Sequence, residues 1–210
     1  MMGVKMATFH LYKYLSIDTP EKWIYRRQLI ADREIYFSDP ANFNDPLDCA
    51  IAQGNSALGA LRSDLKVFCM CMEPRDDSLM FAHYGDSHKG FRLTFEVTTD
   101  KPIGDCSALE LGEEVKYVNN LPTFDKNNIH RMLYTKSTSW AYEAEYRILA
   151  MQRNLAYPDD SLIEVAFGYR MNPDFEPVIR AWVNAGAHQR VRIVRAIPSA
   201  TYIGFDYVAA

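Results

Sequence analysis

Strand-length segments that alternate apolar and polar residues recur along this chain without regular helices between them, and this restricts the fold more than any other feature. They are "FHLYKYL" (Phe9 to Leu15), "EIYFS" (Glu34 to Ser38), "KVFCMCM", "GFRLTFEV", "EVKYV" (Glu114 to Val118), "EYRILAM", "LIEVAFG", "VRIVRAI" and a final extended "TYIGF". Helical signals are fewer. Thr19 and Pro20 open one before "EKWIYRRQLI", and a weak one spans Ala57 to Leu65. Asp76 or Asp77 caps "SLMFAHYGD", which ends near Gly85, and "FDKNNIHRMLYTK" reads as helical. Asn172 and Pro173 begin a last helix, with Phe175, Val178, Ile179 and Trp182 on one face and Gly186 at its end. Regular strand and helix alternation would predict a parallel sheet. Its absence predicts an α+β domain with flanking helices and a mostly antiparallel sheet that is either continuous or split.

The 210 residues contain no repeat, charge block or Ser-rich linker, so residues 1–210 read as a single domain. With 48% hydrophobic and 24% charged residues, the chain has a core to bury. A formal charge of −4 supplies no global basic field for a nucleic-acid backbone. "RVRIVR" reads as a strand with a solvated face. No apolar run reaches the ~18 residues of a membrane span or resembles a secretory signal, so a cytoplasmic location and no membrane partner are expected. Cys49, Cys69, Cys71 and Cys106 then argue against a disulfide framework. Cys69 and Cys71 share a strand face as buried apolar residues.

The chemistry centres on "WAYEAEYRIL", residues 140 to 149. On a strand, the period of two sends Glu143, Glu145 and Arg147 to one face and Ala144, Tyr146 and Ile148 to the other. As a helical turn, Glu143 and Arg147 would instead form an i,i+4 pair, worth only a few tenths of a kcal/mol. Carboxylates beside aromatic residues can stabilise positive charge or orient a nucleophile. Companion groups are Asn44, Asp45 and Asp48 in "FNDPLD", and His83, Tyr84, Asp86, His88 and Lys89 in "FAHYGDSHKGF". Asn44 and Asp45 could equally satisfy loop backbone, and His83 could be a packing histidine. A metal set of Asp45, His83, His88 and Glu145 is conceivable by ligand type, but no H-E-x-x-H spacing supports it and no metal is expected.

"LYKY", "REIYFSDPANFNDPLD", "LMFAHYGDSHKGF", "VKYV" and "SWAYEAEYRIL" together resemble the bacterial and phage family catalogued as domain of unknown function 2971, from about Leu11 to Gly168. Asp48 stands where that family often has Glu, and Phe81 where it often has Trp. The family name implies no activity.

A more distant resemblance is to ADP-ribosyltransferases. "HLYKY" corresponds to a first strand that grips NAD, "EIYFSDPANFND" to the second element, and "EAE" to a late strand with a catalytic Glu. The resemblance implies Glu145 as the stabiliser of an oxocarbenium-like ribose and Glu143 as the group that orients the acceptor. His83 joins them as a catalytic candidate. It also implies NAD contacts from Lys13 (or His10), Tyr36, Ser38, Asn44, Asp45 and Tyr84, with Ser38 the nearest match to a Ser-Thr-Ser motif.

The leading expectation is therefore an ADP-ribosyltransferase or NAD glycohydrolase, in the manner of a toxin or phage-conflict effector. NAD would be the substrate, and a protein or nucleic-acid acceptor is left open. The alternatives are a non-catalytic binding or regulatory module, with polar groups satisfied internally as in an Asp45 to Arg147 pair, and a metal-dependent phosphodiesterase or nuclease.

Overall fold

The two edges of the first strand, β1 (Thr8–Leu15), are paired very unequally. The structure, a computed structural model, describes residues 8–45, 48, 64–73, 77–98, 108–120, 129–188 and 190–210. On one edge β1 runs antiparallel to β4 (Phe91–Thr98) in unbroken register, from Thr8 opposite Thr98 to Leu15 opposite Phe91. On the other it meets β3 (Lys66–Cys71) at a single pair, Tyr12 opposite Cys71. Beyond that pair the ladder stops.

Two half-sheets meet at this point. Past β4 come β10 (Leu162–Phe167), antiparallel to it, then β11 (Arg192–Pro198), parallel to β10, and β12 (Phe205–Ala209), antiparallel to β11. Past β3 come β8 (Glu145–Ala150), antiparallel over six pairs, and β5 (Glu113–Glu114). The resulting order is β12-β11-β10-β4-β1-β3-β8-β5. Two small ribbons flank it: β2 (Glu34–Tyr36) antiparallel to β9 (Asn154–Ala156), and β6 (Lys116–Val118) parallel to β7 (Thr135–Ser137). The fold is α+β with a mostly antiparallel sheet, as the segment order predicts.

Helix α1 (Pro20–Ala31) starts where the sequence signals it, with the Thr19 hydroxyl accepting from Lys22 N–H at 3.4 Å and Pro20 at the first position. It packs against α4 (Glu176–Ala185), with the Trp23 ring edge-on to Phe175 at 5.3 Å and Trp182 at 5.7 Å. Helix α2 (Asp77–Tyr84) lies against β1, and α3 (Ile129–Leu133) precedes β7. The main core gathers Phe91, Leu93, Phe95, Phe167, Phe37 and Ile148 beneath the sheet. Fully burying one such side chain is worth about 1.5–3 kcal/mol, which holds the two half-sheets on one core despite the break between them. No helix among the described residues is long and apolar enough to cross a membrane.

Several expected elements differ. "EVKYV" is two strands: Val115 is buried between β5 and β6, and its N–H donates to the Glu145 carbonyl at 2.9 Å, which sends the chain from one sheet to another. The helix expected through Lys136 ends at Leu133, and β7 takes over. "TYIGF" turns, and its strand begins at Phe205. "EIYFS" is extended only to Tyr36, with Ser38 joined to Val67 by an isolated bridge. Cys49, Cys106, Asp76 and nearly all of the expected 57–65 helix lie outside the described residues.

Candidate functional site

Where the β1–β3 ladder fails, a cleft of about 750 Å³ opens, lined by Lys13 to Ser16 of β1 and the turn after it, and by Val67 to Cys71 of β3. This volume is in the range of small-molecule sites, about 300–1,000 Å³. Lys13 helps to keep the strands apart. By strand periodicity it shares a face with Leu11 and Leu15, and its Nζ donates to the Cys69 carbonyl at 2.6 Å, taking an acceptor that a ladder would otherwise use. The ammonium also sits 4.5 Å over the Phe68 ring.

Nine residues singled out from the sequence as catalytic or NAD-binding candidates line this one cleft: Lys13, Tyr36, Ser38, Asn44, Asp45, His83, Tyr84, Glu143 and Glu145. Different elements deliver them. Tyr36 ends β2, where Arg153 donates to its hydroxyl at 3.1 Å and Tyr25 stacks at 4.3 Å. Ser38 is held by reciprocal backbone bonds to Val67. His83 and Tyr84 end α2, and the His83 ring leans on Tyr142 at 5.9 Å.

The carboxylates occupy a corner and not a continuous strand. Residues Thr138–Glu143 form a 3-10 turn, Ala144 is left-handed at φ 42°, and β8 begins at Glu145. Glu143 is therefore off the strand that was expected to carry it, because the left-handed Ala144 breaks the period of two. Glu145 and Arg147 do share a face, and Arg147 Nε donates to Glu145 Oε1 at 2.7 Å. That face is not solvent: Arg147 is 0% exposed and Glu145 4%.

A buried ionic network results. Lys136 of β7 donates to Glu143 at 2.5 Å and Glu145 at 3.2 Å, and lies 3.4 Å from Asp48. Arg147 also bonds Asp48 at 2.9 Å and the Leu133 carbonyl at 2.5 Å. Tyr84 donates to Glu143, and Glu145 N–H donates to the Tyr117 hydroxyl at 2.7 Å. Among the described residues three carboxylates face two cations in this network, an excess of one negative charge beside the cleft. Asp48 Oδ1 is buried without a hydrogen-bond partner among the described residues.

Environment separates the two glutamates. Burial works to raise both. At Glu145 it is overcome by Arg147, Lys136 and a hydrogen bond from the Cys69 thiol, which hold the carboxyl at about 2. At Glu143 burial wins over Lys136 and Tyr84, and the carboxyl is raised. Two neighbouring carboxyls whose environments push them apart are suited to different roles in proton chemistry.

Some expectations are corrected. His10 pairs with Glu96 at 3.6 Å and does not line the cleft. His88 lines a separate small pocket with Tyr169 and Arg170, so Asp45, His83, His88 and Glu145 do not converge on one point. Arg147 pairs with Asp48 and Glu145. A Ser-Thr-Ser run does exist, at Ser137 to Ser139, where the Ser137 hydroxyl accepts from Ser139 N–H and caps the turn leading to Glu143. Sequence reading missed Lys136, Arg26 and Trp140, which also line the cleft. Lys136 was hidden by a helix assignment. The three-residue alternation of Thr135 to Ser137 was its only signal.

No curated protein and no solved structure matches the chain. Residues 80–148, which span most of α2, all of β4 and the segment from Lys136 to Arg147, match the family described as Protein of unknown function (DUF2971), and through this part of the cleft the chain is identified as similar to that family.

Proposed function

We propose that the cleft is the active site of an enzyme that uses NAD, as an ADP-ribosyltransferase or an NAD glycohydrolase. The observation that carries this reading is the pair Glu143 and Glu145, oppositely shifted and bordering a 750 Å³ cleft with one net negative charge behind it. When the bond from ribose to nicotinamide breaks, its electron pair leaves with the nicotinamide nitrogen and positive charge develops on the ribose. Ionised Glu145, itself buried, stabilises that charge. Glu143, with its raised affinity for a proton, takes one from the attacking hydroxyl or water. Tyr36, Tyr84 and Trp140 provide flat faces for the departing ring.

The test is nicotinamide release from NAD by the purified chain, with NAD-induced thermal stabilisation as the binding readout. Release that falls about a hundredfold in Glu145→Gln, with binding retained, is expected for loss of a transition-state charge interaction. No release and no stabilisation would contradict the proposal.

A second reading has its own support. Both oxygens of Glu145 are engaged, by Arg147 and Lys136, and the residue is 4% exposed, as befits a structural network in a binding or regulatory module. On that reading Glu145→Gln lowers stability and changes no activity.

A further inference from the structure

Two cations on the β1 and α1 side of the cleft lack what the other cations nearby have. Lys22 is paired with Asp18 at 2.9 Å, Lys66 with Asp39 at 2.9 Å, and Lys136 with three carboxylates. Lys13 and Arg26 are held by backbone carbonyls instead. Lys13 Nζ donates to Cys69 at 2.6 Å, and Arg26 Nε donates to Ser16 at 3.1 Å. Among the described residues no carboxylate lies within ion-pair distance of either. Both are half-buried and both line the cleft.

The arrangement is costly when the site is empty. Burial pulls the Lys13 amine below its ordinary value and the Arg26 charge adds to the fall, with Cys69, Glu145 and Glu143 offsetting only part of it. Burial likewise brings the Arg26 guanidinium down to about 10. Two like charges, partly removed from water and close enough to repel, are relieved by an anion between them. The donors suit one: Lys13 keeps two N–H groups after its carbonyl bond, and Arg26 keeps the planar fork of its terminal nitrogens. Glu145 begins β8, on the other edge of β3 from β1, so the cations and this carboxylate border the cleft from different strands.

We propose that Lys13 and Arg26 form an anion subsite that takes the phosphate or pyrophosphate of a nucleotide. The subsite deepens the NAD reading by assigning contacts to the pyrophosphate, yet it stands on the cation pair and not on any reaction. The experiment is calorimetric titration with inorganic pyrophosphate, ADP and adenosine. Wild type is expected to bind pyrophosphate and ADP, and Lys13→Gln and Arg26→Gln are each expected to weaken both by about tenfold or more, as for loss of a charge-assisted hydrogen bond. Arg27→Gln, on an exposed residue paired with Asp32 outside the cleft, is the control and leaves binding within about twofold. The ligand-free Arg26→Gln protein is expected to melt no lower than wild type, because the change removes a partly buried charge that forms no ion pair among the described residues; a merely structural arginine would lower the melting temperature. The subsite is overturned if wild type binds neither pyrophosphate nor ADP, if it binds adenosine as well as ADP, or if both variants bind as wild type does. Pyrophosphate binding without nicotinamide release would defeat the NAD reading and leave the subsite standing.

Discussion

Two ionic networks flank β1, and they differ in charge balance and in what they face. On the β4 side, Arg92 bonds Asp77 at 2.7 Å and Glu164 at 2.8 Å, Arg192 also bonds Glu164, and Tyr14 and Tyr207 both donate to Asp77. Among the described residues two carboxylates meet two arginines, and none of the four lines the cleft. On the β3 side, three carboxylates meet two cations, and Asp48, Glu143, Glu145 and Lys136 line the cleft. The balanced network ties α2 and β12 to the sheet and holds His83 and Tyr84 over the cleft. The unbalanced one faces a space that a ligand can fill. Buried charge alone therefore says nothing of function; its balance and its outlook do.

The largest test of this contrast is removal of the central arginine from each. Arg147→Met leaves Asp48 and Glu145 to share Lys136, and Arg92→Met takes the arginine from Asp77 and leaves Glu164 with the exposed Arg192. Breaking a buried pair from one side costs about 3–5 kcal/mol, so denaturant unfolding should show losses of that size in both. A loss confined to one would mean that the other is not a stabilising unit.

Acid separates the networks next. Glu145 is held at about 2 against 4.5, so its contribution is present above pH 4.5 and lost as pH falls toward about 2. Glu143 is raised, so its ionisation has the opposite sign, and stability falls as pH rises above 4.5. Glu143→Gln should remove that fall, and Glu145→Gln the acid loss, in melting curves recorded from pH 2 to 7. Unchanged slopes in both variants would refute the split. Glu164 is lowered as well, although burial opposes it, by Arg192 and Arg92, and shares the acid loss only.

Smaller effects sharpen the picture. Tyr207→Phe removes a hydroxyl donor to Asp77 and should cost about 0.5–1.5 kcal/mol with no effect on ligand binding in the cleft. Ala144→Gly, at φ 42°, should gain up to about 1 kcal/mol by relieving a left-handed alanine. A destabilised Gly variant would show that the corner is held by Cβ contacts instead.

Much of this arrangement was legible in the sequence. Alternation located β1, β3, β4, β8, β10 and β11, and the Thr19-Pro20 signal located α1, because these features are local. Every cleft residue chosen from "FNDP", "AHYGD" and "EAE" reached the same cavity. What escaped was non-local or left-handed. Nothing near Glu143 announces that Ala144 turns the chain, and nothing near "EVKYV" shows that Val115 will be claimed by Glu145 of another strand. Arg147 bonds Asp48 and the Leu133 carbonyl and lies over Phe43, and of these only Leu133 is near it in the sequence.

The most direct test of the central claim compares one carboxylate from each network. Nicotinamide release from NAD should be measured for wild type, Glu145→Gln and Glu164→Gln, with folding of each checked by its melting curve. The account predicts a fall of about a hundredfold in Glu145→Gln and a fall of less than about threefold in folded Glu164→Gln. Equal losses in the two, or no release by wild type, would contradict it.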